Sequence, residues 1–209
     1  MKNLYWLSIA FGLVVAGFFL ADRRFTEVGL IGALICAGLT LGLGFWWFKP
    51  RPMWQGILWG ALAQPVVFSL NNQMVGISNK LGITHLDAAL YSPLPEETIK
   101  LLGVVIIVAA FKNVRHPYQA AAIGMAIGLG FDAMENVPFI LHAAIDNLDG
   151  DLWGVIITGT GRFFVGAFSH ALYTGVAAWG VGKLYAGARH GYWQVAGFWL
   201  AGIALHTLF

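Results

Sequence analysis

Seven stretches of the chain stay predominantly apolar for 17 to 25 residues, the length a helix needs to cross the hydrocarbon core of a bilayer. They are Leu4–Leu20, Val28–Phe48, Met53–Leu70, Pro93–Phe111, Tyr118–His142, Phe163–Ala186 and Tyr192–Phe209. Composition points the same way: 11% of residues are charged, against about 25% in soluble domains. So few charges cannot solvate a surface of this size, which excludes a soluble globular domain and a disordered chain. A net charge of +2 without a basic stripe excludes a nucleic-acid binder. The lone cysteine, Cys36, lies in an apolar run and reads as a small buried residue. It excludes a disulfide framework and a thiolate zinc cluster. Lipid cannot satisfy a backbone amide, so spanning segments must be helical. The expected fold is all-α, a polytopic transmembrane helix bundle of about seven spans (six to eight), forming a single integral-membrane domain over residues 1–209.

Loop charges set the expected orientation. Lys2, Lys49, Arg51, Lys112, Arg115, Lys183 and Arg189 fall on one side, and Arg23, Arg24 and Lys80 on the other. This puts the N-terminus in the cytosol of a cell membrane and the C-terminus outside. Phe19-Leu20-Ala21-Asp22 is a poor cleavage site, so the first run reads as an uncleaved helix. Leu152–Gly161 is apolar but too short to span alone; it lies at the interface, extends the sixth helix or re-enters the membrane. Asn71–Ser92 reads as the longest loop, polar and able to cover a site. Gly38/Gly42, Gly56/Gly60 and Gly124/Gly128 are small-xxx-small pairs that let helices pack closely within the chain. Trp46, Trp47, Trp54, Trp153 and Trp193 sit near span ends as an interfacial belt.

Against this background, ionisable residues at membrane depth need a reason, because each costs a few kcal/mol. Glu96, Glu97 and Lys100 lie on the fourth span, Asp132, Glu135 and Asn136 on the fifth, and Arg162 with His170 and Thr174 on the sixth. His206 lies on the last. Prolines 93 and 95 preset a helix start, where carboxylates also favour the helix dipole and Lys100 pairs at i,i+3 and i,i+4. Glu135 has no basic residue nearby in sequence, so it needs a partner from another helix.

Counting from the cytosolic end of each span, Glu97, Glu135, His170 and His206 all lie about 21–26 Å deep, in the outer third of a core about 30 Å thick. Two glutamates and two histidines from four spans thus share one level. Such a set suits a zinc-like N/O site, or a metal-free site in which Glu activates water and His stabilises an oxyanion.

Glu96-Glu97-x-x-Lys100, Phe131-x-x-x-Glu135-Asn136, His170 between Arg162 and Thr174, and His206 in the last helix together resemble the PrsW family of intramembrane proteases, related to the CAAX prenyl endopeptidases. The resemblance covers about Pro93 to Phe209, so the segment 93–209 carries the candidate active site. The CAAX relatives carry His where this chain has Glu135. The family's last motif usually continues past the histidine with Asn or Asp, whereas Phe209 is the third residue after His206. Patterns of other intramembrane proteases, His-Glu-x-x-His, Gly-x-Ser-x-Gly and Gly-x-Gly-Asp, are missing.

The resemblance implies hydrolysis of a peptide bond in a membrane protein, an anti-sigma factor or another single-pass protein, and the charge tally with the depth count puts the cut near the extracytoplasmic face. It implies Glu97 as the base that activates water, with Glu96 beside it. Glu135, His170 and His206 complete the site as proton-handling groups or, with Glu97, as ligands of Zn(2+) or another divalent metal. Lys100, Asp132, Asn136, Arg162 and Thr174 support them. The alternatives are a CAAX-type prenyl-protein endopeptidase, a small proton- or cation-coupled transporter, and a scaffold that binds a membrane partner. A transporter would place polar groups at several depths, whereas these share one.

Overall fold

The computed structural model describes residues 1–21, 26–47, 53–82, 92–111, 116–166 and 168–208. Among them the fold is all-α, with no strand. Eight α-helices follow in order: α1 Lys2–Ala21, α2 Glu27–Trp47, α3 Met53–Leu81, α4 Pro93–Phe111, α5 Pro117–Asp146, α6 Asp151–Gly161, α7 Ser169–Tyr185 and α8 Gly191–Leu208. A π-helical turn, Arg162–Gly166, follows α6. Of the residues in the charge tally, Arg23, Arg24, Lys49, Arg51, Lys112 and Arg115 lie outside the described residues.

α5 is the hub. Its 30 residues make a rod about 45 Å long, packed by α2, α3 and α7. The contacts are close because glycines remove the side chains that would separate the rods. A Cβ on Gly60 of α3 would meet the Ile127 carbonyl of α5, and one on Gly128 of α5 would meet the His170 carbonyl of α7. The core between α1, α3, α4 and α5 is filled by Tyr5, Trp59, Val67, Val104, Ile107, Ile123, Ile127 and Phe131. Outward faces stay apolar too: Leu7 and Phe11 of α1 and Ile31 and Leu34 of α2 are more than half exposed. By length and composition alone, Glu27–Gly44 and Asp151–Tyr185 are long and apolar enough to cross a membrane.

Three sequence expectations change. Residues 71–81 are not a loop but the last three turns of α3, which runs to Leu81. The remainder of that expected loop, 83–91, lies outside the described residues. Gly38 and Gly42 face open space, so that pair packs against none of the described residues, unlike Gly56/Gly60 and Gly124/Gly128. The sixth apolar run is not one helix from Phe163. Gly154 lies against Ala143, Arg162 against Glu135 and Asn136, and Gly182 against Pro117. α6, the π-turn and α7 therefore form one path antiparallel to α5, broken in the middle, so Leu152–Gly161 extends that path. At the break Phe168 takes a left-handed φ of 73°, which no continuous helix tolerates.

Candidate active site

The break in α6–α7, the start of α4, the middle of α5 and the end of α8 meet at one place. α4 opens with Pro93 and Pro95, harmless in a first turn whose amides have no helical partner. The next residues, Glu96, Glu97 and Lys100, point inward and are 3%, 0% and 0% exposed. Lys100 Nζ donates to Glu97 Oε1 (2.9 Å) and Glu96 Oε2 (3.4 Å). It also lies 3.8 Å from the centre of the Phe131 ring. Glu96 Oε1 accepts from Ser92 Oγ (2.5 Å) and from Asn71 Nδ2 (3.3 Å), which the extended α3 delivers.

α7 brings His170 and Thr174 to the same centre. Thr174 Oγ1 donates to Glu97 Oε2 (3.1 Å). Lys100 Nζ lies 2.6 Å from His170 Nδ1. An ammonium only donates, so Nδ1 accepts and Nε2 carries the ring proton. Nε2–H then donates to Glu135 Oε2 (3.2 Å). From α8, His206 Nδ1–H donates to Glu97 Oε1 (3.2 Å), which leaves Nε2 bare and 3.9 Å from Glu96 Oε2. The Tyr173 ring stacks on His206, with centroids 5.0 Å apart.

The π-turn supplies the last cation. Arg162 donates to Glu135 Oε2 and, through Nε, to Asn136 Oδ1 (2.5 Å). Asp132 Oδ2 accepts the Phe168 backbone N–H (3.2 Å), a carboxylate at the start of α7 where the helix dipole favours negative charge. Asp132, Glu135, Arg162, His170, Tyr173 and His206 line a cavity of about 500 Å³.

All ten residues singled out in the sequence therefore join one connected network. Asn71, Ser92 and Tyr173 were not singled out. Asn71 was placed in a loop, and nothing local marks Tyr173, one residue before Thr174, as the ring behind His206. Glu97 does not line the cavity: it has no exposed surface, and both its oxygens accept hydrogen bonds.

Two groups of side chains bring three metal-ligating atoms within 4.8 Å of one another: Glu96 with His170 and His206, and Asp132 with Glu135 and His170. Two ligands of a tetrahedral zinc stand about 3.4 Å apart. In the first group Glu96 Oε2 is 3.9 Å from His170 Nδ1 and 3.9 Å from His206 Nε2.

The family model of PrsW intramembrane metalloproteases matches residues 49–209, which is 161 of the 209 residues. The chain belongs to the PrsW family. No curated relative and no solved structure matches it. As a PrsW protease the chain is an intramembrane endopeptidase, resident in a membrane and acting on membrane-protein substrates in the bilayer.

The PrsW description implies a divalent metal, and the donor set of the first group fits one. Two imidazoles and one carboxylate make the His₂Glu set of catalytic zinc sites. Each imidazole turns an unprotonated nitrogen toward Glu96, that of His170 accepting from Lys100, and gives its other N–H to a carboxylate, His170 to Glu135 and His206 to Glu97. That is the arrangement that fixes tautomer and orientation around zinc. Charge agrees. Among the described residues Glu96, Glu97, Asp132 and Glu135 face only the cations Lys100 and Arg162, so two formal negative charges stand uncompensated there when both imidazoles are neutral. In the second group, Arg162 already engages Glu135 Oε2, and His170 Nε2 carries the proton.

Proposed function

We propose that this protease cuts single-pass membrane proteins, of the anti-sigma-factor kind, through a zinc ion held by Glu96, His170 and His206. The observation that carries the reading is the His₂Glu set, whose two imidazoles line the same cavity as Glu135. Bound there, a divalent cation supplies Lewis acidity, polarising a carbonyl and making water more acidic. The chain's own residues do the rest. Glu135 reaches the cavity wall and takes the proton from the attacking water, then returns one to the leaving amine. Arg162 pairs with Glu135 and aims it. Glu97 serves His206 and Lys100 as a buried acceptor, because its full burial and saturated oxygens suit holding better than proton transfer to a substrate.

Water access supports this division of labour. Irregular backbone at membrane depth is tolerated where it is buried in protein or lines a water-filled space. The break at Arg162–Gly166 and Phe168 borders the 500 Å³ cavity. We read residues 1–209 as one integral-membrane bundle of seven crossings, α6 with α7 counting as one. The N-terminus lies in the cytosol, and 93–209 carries the site.

The deciding experiment uses purified protein in detergent with a co-purified transmembrane substrate. Metal content by mass spectrometry should be close to one zinc per chain and fall in His170→Ala and His206→Ala. Chelation should stop cleavage, and zinc should restore it. Full metal occupancy in both variants would overturn the ligand assignment.

A further inference from the structure

The ligand atoms that suit a divalent ion already face a cation that belongs to the chain. Lys100 Nζ lies 2.6 Å from His170 Nδ1 and 3.4 Å from Glu96 Oε2, two of the three atoms assigned to the metal. It is also fully buried and tethered to the same helix as Glu96. An ammonium this close to both atoms blocks the lone pair of His170 and repels an incoming ion at short range. Its third partner, Glu97 Oε1 at 2.9 Å, is not among those three atoms. The side chain is flexible enough to keep Glu97 while releasing His170 and Glu96.

We propose that Lys100 is the built-in counter-ion of the metal-free site and is displaced from His170 and Glu96 when the metal enters. This rests on the metal site read above. It makes Lys100 a positioning residue with two settings. Without the ion it holds two glutamates and an imidazole together, which otherwise leave a buried cluster of negative charge unbalanced. With the ion it retreats to Glu97, whose other partners, Thr174 and His206, stay in place. The neutralising charge is thus exchanged, and the site never stands empty of cations.

The test measures zinc affinity and thermal unfolding of the full chain in detergent, for wild type and for Lys100→Met and Lys100→Gln, with chelator or with zinc. The variants should unfold at lower temperature than wild type in chelator and recover part of the difference in zinc, the lost Glu97 partner accounting for the rest. Zinc should bind them about tenfold or more tightly, since no ammonium has to move. If zinc stabilises wild type but fails to rescue either variant, the metal site stands and the exchange is wrong. If zinc stabilises neither wild type nor variants, the metal site itself is wrong. Failure of both variants to accumulate even in zinc-supplemented cells would also overturn the proposal, because the ion then does not replace the ammonium. In wild type, cadmium-113 coupled to nitrogen-15-labelled histidine should show one-bond couplings to two imidazoles. Coupling to His206 alone means Lys100 has kept His170 and overturns the exchange.

Discussion

Glu97 and Glu135 look alike in the sequence, each a carboxylate at membrane depth, but their surroundings differ, and on that difference we propose different work for them. Glu97 has Lys100, Thr174 and His206 around it and no exposed surface, whereas Glu135 stands at the cavity wall with Arg162 and His170. We expect Glu135→Gln to lower kcat by about 10²–10⁴-fold with little loss of stability. Glu97→Gln should instead cost about 1–3 kcal/mol of stability, because the amide cannot accept all three hydrogen bonds that the buried carboxylate holds. Cleavage assays and unfolding in detergent measure both, and the opposite pattern would return the base role to Glu97. The sequence already held the participants, because an ionisable side chain in an apolar run is conspicuous and needs a partner. It did not hold the division of labour. Which glutamate faces the cavity depends on helix rotation, and 3.6-residue periodicity reports that poorly when all sides of a helix are apolar. Asn71 and Tyr173 stayed hidden for a related reason, since each acts only through what another helix places opposite.

At the scale of elements, the site depends on two rods touching without side chains between them. Gly128 of α5 lies against the His170 carbonyl and Gly124 against the Thr174 carbonyl, both of α7. These two glycines set where the His170 imidazole and the Thr174 hydroxyl sit. Gly128→Val should push α7 away, destabilise the protein by about 1–3 kcal/mol from overpacking, and lower activity more than unfolding accounts for. Gly38→Val on α2, where a Cβ meets nothing, should leave both unchanged. Activity per folded molecule checks the pair. Helix existence was legible from hydropathy, but the ends were less so. Polar residues 71–81 read as loop because nothing local says that α3 must reach far enough to hold Glu96. The break before α7 was equally silent, because Arg162–Gly166 carries no proline to mark it.

Across the whole molecule, the basic residues of the loops and the shared depth of the site lead to one expectation about geography. Lys2, Lys183 and Arg189 fall on the side opposite Lys80, and Glu97, Glu135, His170 and His206 lie about 21–26 Å from the cytosolic edge by residue count. We therefore expect a substrate to be cut at the outer end of its transmembrane helix. Mapping the severed bond by mass spectrometry checks this, and a cut on the cytosolic side would overturn either the orientation or the site. The break in the path along α5 carries a mechanical meaning as well. α5 and α7 are long rods pressed together by glycine contacts, while none of the five residues of Arg162–Gly166 is buried. Local opening is cheapest where few apolar contacts must be lost. Backbone amides there should exchange with deuterium well before those of Gly124–Phe131 or Thr174–Val181. The Arg162 that aims Glu135 is thus mounted on the softest joint of an otherwise stiff frame. A bolt across that joint, such as a disulfide between engineered cysteines, should raise the melting temperature and slow turnover together.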